Sequence, residues 1–281
     1  MESSEKPIIL VVKSRPMKTK NSILAFFLII FTVLACGPKA QEQTDEDYGN
    51  PPAEGFNLEA SDAEAMIIAD EVMEAMGGRK AWDETRHIAW NFFGARELVW
   101  DKWTGDVRID MRNTTFLVNI NDNTGKVFID GREITDADSL ADLVSRGKSA
   151  WINDAYWLVM PYKLKDSGVT LKYMGEEMTK EKMADKLELT FEAVGVTPNN
   201  RYWVWVDKES KLVSQWAYYR NAADTAQGFN VPFQNYQKMG NILLSGDRGD
   251  RQITNVMVFD ELPLAVYKSV EKPDLAALKV Q

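Results

Sequence analysis

From residue 87 onward, large apolar and polar side chains alternate along much of the chain. In residues 87–93 (HIAWNFF) the apolar positions are Ile88, Trp90 and Phe92, and in 97–103 (ELVWDKW) they are Leu98 and Trp100. A period of two is the mark of a strand with one face buried. Further strands are predicted over 107–112, 115–120 and 126–134. The turns between them carry Thr104-Gly105-Asp106 and Asn121-Asp122-Asn123-Thr124-Gly125, the chemistry of hairpin loops. The period then changes. After Asp136 or Asp138, either of which can cap a helix, Leu140, Leu143, Val144, Trp151 and Ala155 fall near one helical face. Pro161 cannot continue a helix and disfavours helical geometry at Met160, so the helix is expected to end there in an extended segment. Strands resume over 169–175, 186–193, 201–207, 212–220, roughly 234–244 and 252–260.

Ahead of the first strand, Ser61-Asp62-Ala63-Glu64 has the form of a capping box. It opens a helix carrying Met66, Ile67, Val72, Met73 and Met76, which Gly77-Gly78 ends. A short second helix holds Trp82. The order of elements is helix, meander, inserted helix, longer meander. It predicts one α+β domain over 61–268, built on a large curved antiparallel sheet with helices against one face, and leaves 269–281 as a C-terminal tail.

The hairpin through Asp207-Lys208-Glu209-Ser210-Lys211 is informative about faces. With Val206 opposite Leu212, Tyr202 falls opposite Trp216. Tyr202, Val204, Val206, Leu212, Trp216 and Tyr218 then share one face, and Trp203, Trp205 and Val213 the other. Apolar residues on both faces mean either a sheet covered on both sides or one side that lines a cavity.

Residues 17–36 (MKTKNSILAFFLIIFTVLAC) follow a different pattern. Lys18 and Lys20 precede an apolar run from Ile23 to Leu34 broken only by Thr32, and Val33-Leu34-Ala35-Cys36 closes it. The run is shorter than the ~20 residues a membrane span needs and reads as a secretory signal. It resembles a bacterial lipoprotein signal. That resemblance implies cleavage before Cys36, lipidation of its thiol and Met17 as the initiator. Residues 1–36 are therefore assigned to the signal. Residues 37–60, rich in Gln, acids, Pro and Gly, are assigned to a flexible tether. Gly37, where an Asp would retain the protein at the inner membrane, implies by the same resemblance an outer-membrane anchor, with the periplasmic or surface face left open.

The full chain has 33 Lys/Arg against 42 Asp/Glu, a net charge of −9. Residues 1–36 hold five of the basic and two of the acidic groups, so the remainder carries −12. That balance argues against nucleic acid, whose affinity comes from cations meeting phosphates. Cys36 is the sole cysteine and His87 the sole histidine. A catalytic triad or a zinc site has little to draw on, and His87 reads as a structural or solvent-exposed strand residue. Glu176, Glu177, Glu188 and Glu192 offer carboxylates for hydrolysis, but acids are abundant and a solvated face explains them. Arg248-Gly249-Asp250 reads as a turn, and the 121–125 segment lacks the spacing of a calcium loop. No enzyme, cofactor or metal is expected.

The phrases AYWLVMPYKLKDSGVTLKY (155–173), RYWVWVDKESKLVSQWAYY (201–219) and YQKMGNILLSGDRGDRQITNV (236–256), with the lipoprotein signal, are similar to the LolA/LolB-like lipoprotein-carrier superfamily, and within it to LolA-like lipoproteins of Bacteroidota. The resemblance spans roughly 60–268 and involves no catalytic signature. It implies a half-open β-barrel whose concave, apolar face is covered by helices and holds acyl chains or another hydrophobic ligand. Candidates to line that face are Trp90, Phe92, Trp100, Tyr156, Trp157, Met160, Tyr202, Val204, Trp216 and Tyr218. A lone nucleophile is not needed for such a role; a membrane reached through the Cys36 anchor and an envelope protein are the implied partners. The alternative is an assembly or scaffold lipoprotein whose interior is filled by these same side chains.

Overall fold

In a computed structural model, residues 49–180, 182–192 and 199–279 are described. The signal, Cys36 and the tether up to residue 48 lie outside the described residues. The predicted meander is present. Strands β1 (His87–Phe92), β2 (Arg96–Asp101), β3 (Asp106–Met111), β4 (Thr114–Asn119), β5 (Thr124–Ile129) and β6 (Arg132–Glu133) pair antiparallel in sequence order. Helix α3 (Ala137–Val159) follows, with the Asp136 carboxylate accepting the Ser139 backbone N–H at its start. The second meander is β7 (Val169–Thr179), β8 (Lys182–Phe191), β9 (Arg201–Asp207), β10 (Val213–Tyr219) and β11 (Phe229–Pro232). The chain then makes a small hairpin, β12 (Gln237–Met239) with β13 (Ile242–Leu244). It returns through β14 (Asp247–Arg248) and β15 (Arg251–Phe259), and β15 pairs with β1.

This return divides the predicted sheet into two, of eight and five strands. One isolated bridge, Gln234 to Asp247, links the segment after β11 to β14. The order β6 to β1, β15, β14, then β11 to β7 is an open, curved antiparallel surface, not closed into a barrel. Helices α1 (Ala63–Ala75) and α3 pack with both sheets into one core. Alternation along the strands sorts the residues. Ile88, Trp90 and Phe92 of β1 point into this core, while Ala89 joins an outer cluster with Val99, Phe259, Val266 and Tyr267.

Several expectations need correction. Asp62, not Ser61, caps α1, and its carboxylate makes no capping bond; it accepts from Lys172 and from the Tyr173 backbone N–H. Ser61 Oγ instead serves the Leu171 N–H. The would-be capping box thus ties the helix start to the edge of β7. On α1 itself the buried positions are Ala65, Ile68, Ala69, Val72 and Met73, and Ile67 faces outward at 60% exposure. Gly77 does end α1, with φ +114° and no space for a Cβ, which would sit 2.3 Å from the Asn241 carbonyl. It also starts α2 (Gly78–Glu84), where Trp82 stacks on Tyr162.

The part of the expected tether that is described, 49–60, is docked. Phe56 is buried in the core, and the chain bonds along β7 from Asn57 N–H to the Val169 carbonyl and from Asp62 N–H to the Leu171 carbonyl. The tail is docked too. Arg108, fully buried, donates to the carbonyls of Ser269 and Val270 while pairing with Asp110, and Leu275 and Leu278 pack on the outer cluster. Met160 is helical (φ −50°, ψ −39°) rather than extended, because Pro161 sits in the first turn of a 3-10 helix, Met160–Lys163, where its missing N–H costs nothing. Among the described residues no helix is long and apolar enough to cross a membrane.

Candidate functional site

The β9–β10 hairpin pairs Val204 with Trp216 and Tyr202 with Tyr218, two residues from the expected register, with a bulge between Val213 and Gln215. A shift of two leaves every side chain on its expected face. The bulge is the exception: it turns Val213 inward to the core, where an outward position was expected. Trp203 and Trp205 form an outer cluster with Ala184, Ala217 and Tyr219.

All ten sequence candidates lie on the inner side, but not as one lining. Trp90, Met160 and Val204 are at most 2% exposed and act as packing. Trp100 is edge-on to Trp151 of α3, 5.1 Å between ring centroids. The others converge where the end of α3 meets the ends of β1, β8 and β10 and the starts of β9 and β11. Buried Trp216 is 4.9 Å from Trp157, 5.9 Å from Tyr156 and 5.3 Å from Tyr202. Tyr218 is 5.4 Å from Tyr202, and Phe92 6.3 Å from Trp157.

Three residues complete this cluster that sequence reasoning missed. Phe191 is edge-on to Tyr202 at 5.3 Å, Phe229 stacks on Tyr218 at 5.1 Å and lies 4.7 Å from Trp157, and Phe93 is 5.2 Å from Trp157. Phe191 continues the inward alternation of Leu187 and Leu189 and was legible. Phe93 was not: its φ of +53° is rare for a bulky residue and turns the ring back onto Trp157. Phe229 follows Gly228, where a Cβ would come within 2.7 Å of the Tyr218 ring, so the glycine lets the two strands close on that ring. Phe93, Tyr156, Phe191, Tyr202, Tyr218 and Phe229 are each half-buried, and together they form an aromatic rim around sealed Trp157 and Trp216.

Charged groups hold this rim from behind. Arg96 pairs bidentately with Asp154 of α3 at 2.5 and 2.7 Å, with Asp154 fully buried. Arg248 is 1% exposed and donates to the Trp157 carbonyl at 2.7 Å and to Ser245 and Asp247, with its guanidinium over Phe233. Burial pushes its pKa down to about 9. Arg248-Gly249-Asp250 is thus a turn, with Gly249 at φ +73°, whose arginine is an internal strut. Burial pushes the Tyr156 hydroxyl well above its ordinary pKa and that of Tyr202 up to about 12. The Tyr156 hydroxyl and the Trp216 indole N–H have no hydrogen-bond partner. Indole N–H groups of Trp90, Trp100, Trp151 and Trp205 are also unpartnered. Tyr156 and Trp216 differ in touching half-exposed rim residues directly.

Two concavities lie elsewhere. One of about 780 Å³ runs along α1 and α2 past Asp70, Glu74, Arg79 and Lys211; one of about 410 Å³ lies between β13 and β15 near Met239 and Ile253. None of the ten candidates lines either. His87 sits at the other end of β1 on the outer side, 1% exposed, with Nδ1 2.8 Å from the Tyr267 hydroxyl and 3.8 Å from Asp101. Burial lowers its pKa despite Asp101. Glu176, Glu177 and Glu188 pair with Lys208, Lys186 and Arg201, and Glu192 is exposed. The 121–125 segment is the β4–β5 hairpin turn, and among the described residues no group of His, Cys, Asp and Glu is placed to hold a metal.

No protein-family model matches the chain, and no curated protein matches it significantly. Among solved structures it is similar to a DUF1329 family protein from Desulfovibrio piger (14% identity over 73% of this chain and 97% of that one, TM-score 0.42). It is also similar to an outer membrane lipoprotein-sorting protein domain from Vibrio parahaemolyticus (12%, 77% and 98%, 0.39). A third is a LolA superfamily protein from Nitrosomonas europaea (9%, 71% and 96%, 0.31). At these scores the likeness carries no functional argument, and the reading that follows rests on the geometry of the rim.

Proposed function

We propose that this chain is a cell-envelope lipoprotein, anchored at the outer membrane through Cys36, that binds a lipid or other hydrophobic ligand without transforming it. The observation that carries the reading is the rim. Six half-buried aromatic rings surround two sealed tryptophans at the open end of a curved sheet. Partly exposed aromatic surface gathered at one end of a sheet marks an interaction site for apolar groups. The acidic balance and the isolated, buried His87 are in keeping with a binding role.

Native mass spectrometry with lipid extraction, on the full chain purified from a lipid-rich host, tests it. Reproducible co-purifying lipid, reduced in a Tyr218→Ala/Phe229→Ala variant that keeps its melting temperature within a few degrees, is expected. A lipid-free protein that takes up no fluorescent fatty-acid probe overturns it. The anchor is tested separately: Cys36→Ala is expected to move the chain from the membrane to the soluble fraction.

A second reading has its own support. The inner face is filled by its own side chains, with Trp90, Met160, Val204 and Trp216 at most 2% exposed. A packed interior fits an envelope assembly or scaffold lipoprotein, and the lipid-free outcome would favour it.

A further inference from the structure

The rim is chemically one-sided, and its polar groups narrow the ligand class. Arg251 begins β15 on the same turn as buried Arg248, with its guanidinium carbon 5.6 Å from the Trp157 ring centroid. It is exposed and forms no ion pair among the described residues, its neighbour Asp250 included. Of the other arginines at this end, Arg96 is committed to Asp154, Arg248 to backbone carbonyls and Arg201 to Glu188, while Arg220 is exposed just past β10. Arg251, over the Trp157 ring and without an ion pair among the described residues, therefore stands at the edge of an aromatic surface in a strongly acidic chain.

Deeper in, the two unpartnered groups are both able to donate. The indole N–H of Trp216 can only donate, and Tyr156 Oη is buried beside it with no acceptor in reach. Buried donors are ordinarily satisfied, and these two call for an acceptor oxygen with no proton to offer. Trp157 lies between the two features, 4.9 Å from Trp216 and beneath Arg251. Both donors are sealed from solvent, so a ligand that displaces the rim rings would meet a cation first and hydrogen-bond donors next, with apolar surface on either side.

We propose that the ligand is an anionic acyl ester. Its oxyanion head pairs with Arg251, an ester carbonyl accepts from Tyr156 Oη and Trp216 Nε1, and its acyl chain lies across the rim rings. The head and ester of a glycerophospholipid come in this order. A cationic or purely hydrocarbon ligand leaves Arg251 unpaired and the two donors unmet. This inference rests on the reading of the rim as a ligand site.

Isothermal titration of the full chain with three amphiphiles of equal chain length, each below its micelle concentration, tests it. The probes are lauroyl lysophosphatidate, its alkyl-ether analogue without the carbonyl, and lauroyl glycerol without the phosphate. The acyl phosphate is expected to bind about tenfold tighter than either of the others, the scale of one hydrogen bond. Arg251→Glu is expected to remove the advantage over lauroyl glycerol alone. Tyr156→Phe is expected to remove the advantage over the ether alone, and to melt no lower than the parent because it deletes an unmet buried hydroxyl. Equal binding of all three probes by the parent overturns the head-group assignment and leaves the ligand site standing. No binding of any probe overturns both.

Discussion

The two halves of the curved surface are built to the same antiparallel plan, yet their inner faces differ. Under the first sheet the core is shut, whether aliphatic or aromatic: Leu98, Val107, Ile109, Val118 and Val127 are at most 3% exposed and Trp90 and Phe116 at most 6%, with α3 laid over β3 to β5. Under the second sheet the deep positions are equally shut, as Leu187, Leu189, Val204 and Val206 show, but at the end nearest α3's C-terminus the rings of Phe191, Tyr202, Tyr218 and Phe229 are left partly exposed. Branched aliphatic residues fill space with few rotamers and hold a fold. Broad rings left partly exposed contribute less burial to the fold and offer surface to something else. On the proposed reading, the first sheet supplies stability and the end of the second supplies recognition.

That division can be broken by substitution. Ile109→Ala, at a position with no exposure, should cost ~3–5 kcal/mol in chemical denaturation while leaving the ligand affinity of the folded fraction unchanged. Asp154→Ala should cost toward the lower end of ~3–5 kcal/mol, because it leaves Arg96 without its partner at the junction of sheet and helix while Arg96 keeps 23% exposure to water. Tyr218→Ala at the half-buried rim should cost about 1 kcal/mol, yet weaken ligand binding more than either. If Ile109→Ala and Tyr218→Ala affected stability and binding in the same proportion, the contrast between the sheets would be lost.

A smaller effect probes a region outside both faces. The buried imidazole of His87 has its pKa depressed by desolvation, so the folded state resists the proton. Above the ordinary histidine pKa of about 6.5 neither state is protonated and stability is complete. As pH falls below that value the unfolded chain takes up the proton first, and stability declines until the folded pKa is passed. His87→Phe should flatten this decline in melting temperature between about pH 6.5 and 5 without changing ligand affinity, since the site lies at the far end of β1.

The elements with local signals were legible in the chain: nine of the eleven predicted strands, α3 from Asp136 and its apolar stripe, and the stop at Gly77, whereas 126–134 and 234–244 each hold a hairpin of two strands instead of one. Face assignment in the 201–220 hairpin survived a register error because the error was even. Features set by distant partners were not legible. Met160 is helical next to Pro161 because tertiary burial, to 0% exposure, outweighs the local preference. Residues 49–60 and 269–279 have polar compositions but are held by Phe56, Arg108 and backbone bonds to β7. The β7–β8 hairpin reaches Thr179 and Lys182, well past its apolar part, through a charged stretch that shows no strand pattern. At the candidate site the large aromatic residues could be placed on a face by parity. What parity could not give is which of them reach the rim, because that depends on Phe93's backbone, on Gly228 and on the docking of α3.

Hydrogen–deuterium exchange of the full chain, with and without saturating lauroyl lysophosphatidate, tests the central claim most directly. The account predicts added protection confined to the start of β9, the end of β10, β11 and the last turn of α3, with the first sheet unchanged. Protection along the groove beside α1 and α2, or across the first sheet with none at the rim, would contradict it.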